Sequence, residues 1–175
     1  MSERLKLRAR DAGDLETIAA CIQDALVPLV DMKYLPKEHR FALMLNRFCW
    51  EAMPPGEAAM GATATGADSD DVSFAGRDPA VFERVHAVLT FDGVRGVKRR
   101  GLEQAAQAGL LELLTLSTDG RWLLIAFAGG GALRFDVDQI SCHLEDIGEP
   151  WPTIWRPQHG HGGSGPGEDP TDGTA

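Results

Sequence analysis

The sequence predicts an α+β fold, mainly antiparallel β with one N-terminal amphipathic helix. Three observations predict it. Short apolar runs with period-two alternation recur through most of the chain, as strands with one buried face require. Asp119-Gly120 sits between two such runs, and Gly supplies the positive φ that a two-residue hairpin turn needs. Helical periodicity is confined to one stretch near the N-terminus.

The elements follow in order. Leu5-Lys6-Leu7-Arg8-Ala9-Arg10 alternates apolar and basic residues and reads as a short half-buried strand. Asp11 or Asp14 then offers an N-cap. Leu15, Ile18, Ala19, Ile22, Ala25 and Leu26 share one helical face, with Pro28 as the expected stop. Val30, Met32 and Tyr34 alternate with Asp31 and Lys33 as a strand, and Pro36 to His39 form a turn. Arg40 to Trp50 is apolar at successive positions over its first half, which predicts a central strand covered on both faces.

Order resumes near Val81. Val85, Ala87, Leu89 and Phe91 form one strand face. Val94 to Arg100 either continues that strand or turns at Asp92-Gly93. Leu110–Ser117 and Trp122–Ala128 flank the Asp119-Gly120 hairpin. Gly129-Gly130-Gly131 makes a tight connection to Leu133, Phe135 and Val137. Ile140, Cys142 and Leu144 face one way, while Ser141, His143 and Glu145 face the other.

The 175 residues suggest one domain, residues 1–155. Residues 54–78 read as a disordered acidic insertion, rich in Gly, Ala, Asp and Pro without apolar periodicity. Residues 156–175 read as a disordered tail, leaving Trp151 and Trp155 as the last side chains to pack. The formal net charge is −9, and residues 54–80 alone hold five acids against one base. That acidity serves solubility and disfavours broad nucleic-acid binding, which rests on many Lys and Arg contacts with phosphate.

No apolar run has the ~20 residues that a spanning helix needs, and the N-terminus lacks the apolar stretch of a secretory signal. Cys21, Cys49 and Cys142 are odd in number and far apart, which fits buried thiols in a reducing compartment. A cytoplasmic location without membrane contact is the expectation.

Two stretches echo one another. Arg40-Phe41-Ala42-Leu43-Met44 matches Arg121-Trp122-Leu123-Leu124-Ile125, and Val88-Leu89-Thr90-Phe91-Asp92 matches Ala132-Leu133-Arg134-Phe135-Asp136. The echo is read as two β-β-β repeats forming a sheet pair or partial barrel. Chance similarity between strands of like composition is the competing explanation.

Motifs that tie residues to mechanism are missing. There is no GxxxxGKS/T phosphate loop, HExxH, CxxC or GxSxG elbow. The glycines 129–131 do not complete a dinucleotide fingerprint, since Arg134 stands where its last glycine would be and strands flank them on both sides. No cofactor is expected. No metal is expected either: His159 and His161 lie in the tail, Cys142 and His143 point to opposite faces, and a Cys21/Cys49/His grouping has no supporting spacing.

Two candidate binding groups remain. Arg95, Lys98, Arg99 and Arg100 form a basic run suited to an anion or an RNA backbone, with Arg40 and His39 as neighbours. The plainer reading is an edge strand whose charges prevent edge-to-edge pairing. Asn46, Arg47 and Trp50 end an apolar strand, where polar side chains either line a pocket or serve structural hydrogen bonds.

Five segments carry a family resemblance. They are Cys21–Leu26, Asp31–Pro36 and Arg40–Phe48 in the first half, with Ala128–Arg134 and Leu144–Trp151 in the second. Together they resemble a bacterial family of domain-of-unknown-function proteins found chiefly in alphaproteobacteria, over most of residues 4–151 outside the insertion. The resemblance implies a small cytoplasmic protein and brings no activity, cofactor or catalytic residue. The insertion and tail are longer than the family pattern.

The leading expectation is therefore a non-catalytic binding or adaptor domain with a protein partner, homodimerisation being a further option. The alternative is a small enzyme in which Arg40, Arg47, and His39 or His86 converge with Asp92 or Asp136. A weak RNA-backbone contact through Arg95 to Arg100 is the third.

Overall fold

The computed structural model describes residues 4–52 and 82–153. The insertion, the tail and Trp155 lie outside them. Ten strands form one sheet among the described residues: β1 Lys6–Ala9, β2 Leu26–Pro28, β3 Met32–Leu35, β4 Arg40–Phe48, β5 Phe82–Asp92, β6 Val94–Arg100, β7 Leu110–Thr118, β8 Trp122–Phe127, β9 Ala132–Val137 and β10 Cys142–Thr153. Two helices join them, α1 Ala12–Ile22 and α2 Leu102–Ala105. The spatial order is β1-β10-β5-β4-β2-β7-β8-β9-β6, with β3 also on β4. All pairings are antiparallel.

The sheet folds over on itself without closing into a barrel. β5 and β6 are consecutive in the chain, separated only by Gly93, yet lie well apart along the pairing order. Gly93 makes the corner at φ +73°. Across the fold the ring of Phe135 in β9 lies 4.8 Å from both Phe91 and Phe41. Leu43, Leu45, Leu89, Leu123, Ile125 and Leu133 complete the buried inner face. Helix α1 closes the core beside β7 and β1, burying Leu15, Ile18 and Ile22.

Local chemistry explains the element ends. Asp11 caps α1, its Oδ1 accepting from the Asp14 N–H at 2.8 Å. Asp14 Oδ2 in turn accepts from the Arg10 N–H at 3.2 Å. The helix ends at Ile22, earlier than the expected stop at Pro28. Pairing with β7 overrides the apolar periodicity there. Asp24 N–H donates to Leu113 O and Leu113 N–H to Ala25 O, both at 2.9 Å. Leu26–Pro28 then continues as β2. Val30 falls in a 3₁₀ turn, 88% exposed, so the expected strand starts only at Met32.

At the β7–β8 hairpin, Asp119 Oδ1 accepts from the N–H groups of Arg121 and Trp122 at 2.9 and 3.0 Å, and Gly120 takes φ +92°. Strand β10 runs past Pro150 to Thr153, longer than the sequence suggests. A register shift between Ile147 and Trp151 lets it pass Gly148 and Pro150.

Two further expectations are corrected. β4 is central, but its faces are not both covered. Phe41, Leu43 and Leu45 are buried, while Ala42 is half-buried and Met44 is 36% exposed. Small or flexible apolar residues on a solvent face imitate a two-sided strand in sequence. The echo also needs a shift. β3-β4-β5 and β7-β8-β9 are both antiparallel meanders, and Phe91 and Phe135 both face the core. However, Phe41 opposes Phe91 whereas Leu123, not Trp122, opposes Phe135. The Arg121–Ile125 match is therefore one residue out of register, which in a strand exchanges the faces.

Helix α2 had no sequence signal. It packs against the glycine turn after β8. A Cβ on Gly131 would stand 2.8 Å from the Ala105 Cβ, and Gly129 and Gly130 have φ +78° and +85°. The triple glycine thus combines left-handed backbone with close approach to a helix. Gly131→Ala is expected to destabilise the fold by about 1–3 kcal/mol through overpacking. Denaturant unfolding would measure it, and an unchanged midpoint would refute the close contact.

Candidate functional site

The outer face of the β1-β10-β5-β4 region carries the site with the greatest chemical content. Register places Arg8 of β1 opposite His143 of β10, His143 opposite Thr90 of β5, and Thr90 opposite Ala42 of β4. One row further, at the strand ends, Asp92 opposes Arg40 and its N–H donates to Ser141 O at 2.9 Å. Arg10 follows β1. Together Arg8, Arg10, Arg40, Asp92, Ser141 and His143 line a shallow bowl of about 520 Å³.

The bowl is basic within an acidic chain. Asp92 accepts from Arg40 Nε at 2.6 Å and lies 3.6 Å from His143 Nε2, so one carboxylate fixes two potential cations. The bond to Asp92 raises the Arg40 pKa above its ordinary value. The guanidinium groups of Arg8 and Arg10 form no ion pair or side-chain hydrogen bond with any described residue. Both are exposed. Such an arrangement can bind an anion by charge-assisted hydrogen bonds.

Arg47, by contrast, is turned into the protein. Its side chain is 1% exposed. Nε and Nη2 each donate to Asp146 at 2.7 Å, while Nη1 and Nη2 reach Glu51 at 3.0 and 2.5 Å. Asp146 Oδ2 also accepts from the Leu5 N–H at 3.1 Å. Burial alone would favour the neutral guanidine, but the bonds to Asp146 and Glu51 outweigh it, and the pKa lies above its usual value.

A small cleft of about 60 Å³ opens on this cluster, with Glu83 and Glu149 adding to its acidity. Burial pushes the nearby Cys49 thiol up to about 11, Arg47 opposing and the surrounding carboxylates reinforcing the shift. Cys142 is raised further, again mainly by burial. Neither thiol is poised as a nucleophile near neutral pH.

The other sequence candidates are dispersed. Asn46 sits on the outer face opposite His86. Trp50 packs its ring 4.6 Å from Phe48. Arg95 pairs with Asp138 at 2.7 Å, Lys98 with Asp136 at 3.9 Å and Arg99 with Glu103 at 3.9 Å. With Arg100 they occupy β6, the last strand of the sheet, and only Arg100 lacks an acidic neighbour among the described residues. This is the charged-edge arrangement.

Of the proposed enzymatic set, the structure pairs Arg40 with Asp92, and His39 adjoins Arg40, its carbonyl accepting from the Val94 N–H at 2.8 Å. His86 lies against Trp151, the ring centroids 4.4 Å apart and tilted by 43°, and Asp136 pairs with Arg134 in the other half of the sheet. Among the described residues no group of three His, Cys, Asp or Glu could hold a metal. Arg8, Arg10, Ser141 and His143 were not singled out from sequence as binding residues. The usable signal was the basic alternation Lys6, Arg8, Arg10, which puts every base of β1 on the solvent face.

The buried pair yields a prediction. Asp146→Ala removes the buried partner, leaves Arg47 only the half-exposed Glu51 and strands the Leu5 N–H, and is expected to cost about 3 kcal/mol. Glu51→Ala removes a half-exposed partner and is expected to cost at most about 1 kcal/mol. Thermal melts of the two variants would test this; equal losses would contradict the central role of Asp146.

Among the described residues no helix is long and apolar enough to cross a membrane. No curated protein and no solved structure matches the chain. A family model described as "Protein of unknown function (DUF2948)" matches residues 5–159, in keeping with the family type expected from the paired segments. The chain belongs to that family.

Proposed function

We propose that this chain is a non-catalytic, cytoplasmic binding domain that recognises an anionic group at the Arg8/Arg10/Arg40/His143 bowl. The observation that carries it is the convergence of two unpaired guanidiniums with an oriented third in a protein of net charge −9. In such a chain most basic groups are consumed by acids, so bases left free in a concavity have a ligand as their natural counterpart. His86 and Asp136 lie away from the bowl, so the acid–base set expected from sequence is not assembled there. Three free cysteines, two of them buried, accord with a reducing compartment. The expected partner protein enters here as one possible bearer of the anion.

Amide chemical-shift titration of the whole chain with sulfate, citrate and phosphate tests this. Saturable shifts at Arg8, Ser141 and His143, abolished in Arg8→Glu/Arg10→Glu, are expected. Absence of saturable shifts with all three anions would remove the proposal.

A further inference from the structure

We propose that the group received by the bowl is a phosphate monoester carried on a small molecule. The inference rests on the anion-binding reading above and narrows it. Charge is the first argument. Three guanidiniums line the bowl against the carboxylate of Asp92, and Glu38 stands outside the lining at 4.0 Å from Arg40 Nη1, so Arg and Asp/Glu side chains leave a net positive charge of +2 for the lining and +1 with Glu38 counted. A phosphate monoester carries about −1.5 to −2 near neutral pH, whereas a carboxylate or a phosphodiester carries −1. Charge therefore favours a dianion, the phosphate monoester among them, over a monocarboxylate or a phosphodiester, and donor geometry must choose between dianions.

Donor geometry is the second. Arg40 is held through Nε by Asp92, which orients its guanidinium at the rim. Arg8 and Arg10 stand on successive outward positions of one edge of the bowl, across from Arg40 on the other. Ser141, which carries a hydroxyl, also lines the bowl. Donors from opposite sides suit a tetrahedral group with three terminal oxygens better than a planar carboxylate, for which one guanidinium fork suffices.

The third argument separates a small molecule from a macromolecule. Of the lining residues only Ile140 is apolar. A protein interface draws its affinity from buried aromatic and aliphatic anchors, and this rim presents none. A nucleic-acid backbone needs a track of free bases, whereas Arg95, Lys98 and Arg99 are paired with acids on another strand. One isolated anion on a small molecule fits this lining.

Calorimetric titration of the full chain at pH 7.5 tests the proposal. The probes are glycerol 3-phosphate, dimethyl phosphate, lactate, a phosphoserine peptide and a short single-stranded RNA. Glycerol 3-phosphate is expected to bind at least about tenfold more tightly than dimethyl phosphate or lactate. Arg8→Ala/Arg10→Ala should lose that binding with an unchanged melting temperature, since both side chains are exposed. Arg95→Ala/Lys98→Ala, which removes the same charge elsewhere, should leave it within about twofold.

Lactate binding as tightly as glycerol 3-phosphate would overturn the monoester assignment while leaving the anion site intact. No binding by any probe would overturn both. Tighter binding of the phosphopeptide or RNA would overturn the small-molecule assignment. Equal losses in the two double variants would show non-specific attraction and overturn the site.

Discussion

Phe135 meets Phe41 and Phe91 at the place where the two halves of the sheet lie against each other, and most of the architecture depends on that meeting. A ten-stranded antiparallel sheet left flat would expose one apolar face along its length. Folding it at Gly93 turns the inner faces of β4 and β5 toward that of β9. Aromatic pairs of this kind contribute about 0.5–1.5 kcal/mol each beyond the area they bury. Their larger effect is geometric. With Phe91 fixed inward, strand alternation sends Asp92 outward, where it holds Arg40 and lies close to His143. Core and bowl thus share two adjacent residues of β5.

The buried Arg47–Asp146 pair works at the opposite end of the same strands. It joins β4 to β10 across β5, and Asp146 also takes the Leu5 N–H at the start of β1. Removing either charge strands the other in a desolvated place, so the pair specifies alignment more than it adds net stability. By aligning β1 beside β10 it brings Arg8 next to His143. The acidic cleft around Glu51 and the basic bowl are thereby separated along one stretch of sheet, and the guanidiniums of Arg8 and Arg10 in the bowl have no ion pair with a described residue, whereas Arg47 in the cleft is fully paired.

Much of the fold was legible in the sequence because solvent-facing strands alternate. β1, β5 and β9 announce themselves that way, and β8 is placed by the local chemistry of the Asp119-Gly120 turn. The failures have a common cause in non-local pairing. Leu26–Pro28 continues a helical pattern yet is captured by β7. Ala42 and Met44 look like core but face outward. Arg121–Ile125 resembles Arg40–Met44 with its faces exchanged. The site was half legible. Arg40 was singled out, but Arg47 carried the same sequence weight and is a buried structural ion. Arg8 and Arg10 sat in plain view as strand alternation. What made them a site was their register against His143 and Asp92, residues more than 80 positions away, which no local pattern encodes.

The account's central claim is that folding the sheet at Gly93 sets both the core and the outward position of Asp92. Carbon-edited NOE spectroscopy of the chain with labelled phenylalanines tests it most directly. The Phe135 ring should show contacts to the rings of both Phe41 and Phe91. Phe135 contacts confined to its own strand neighbours, Val97 and Leu123, would contradict the folded sheet and the bowl that depends on it.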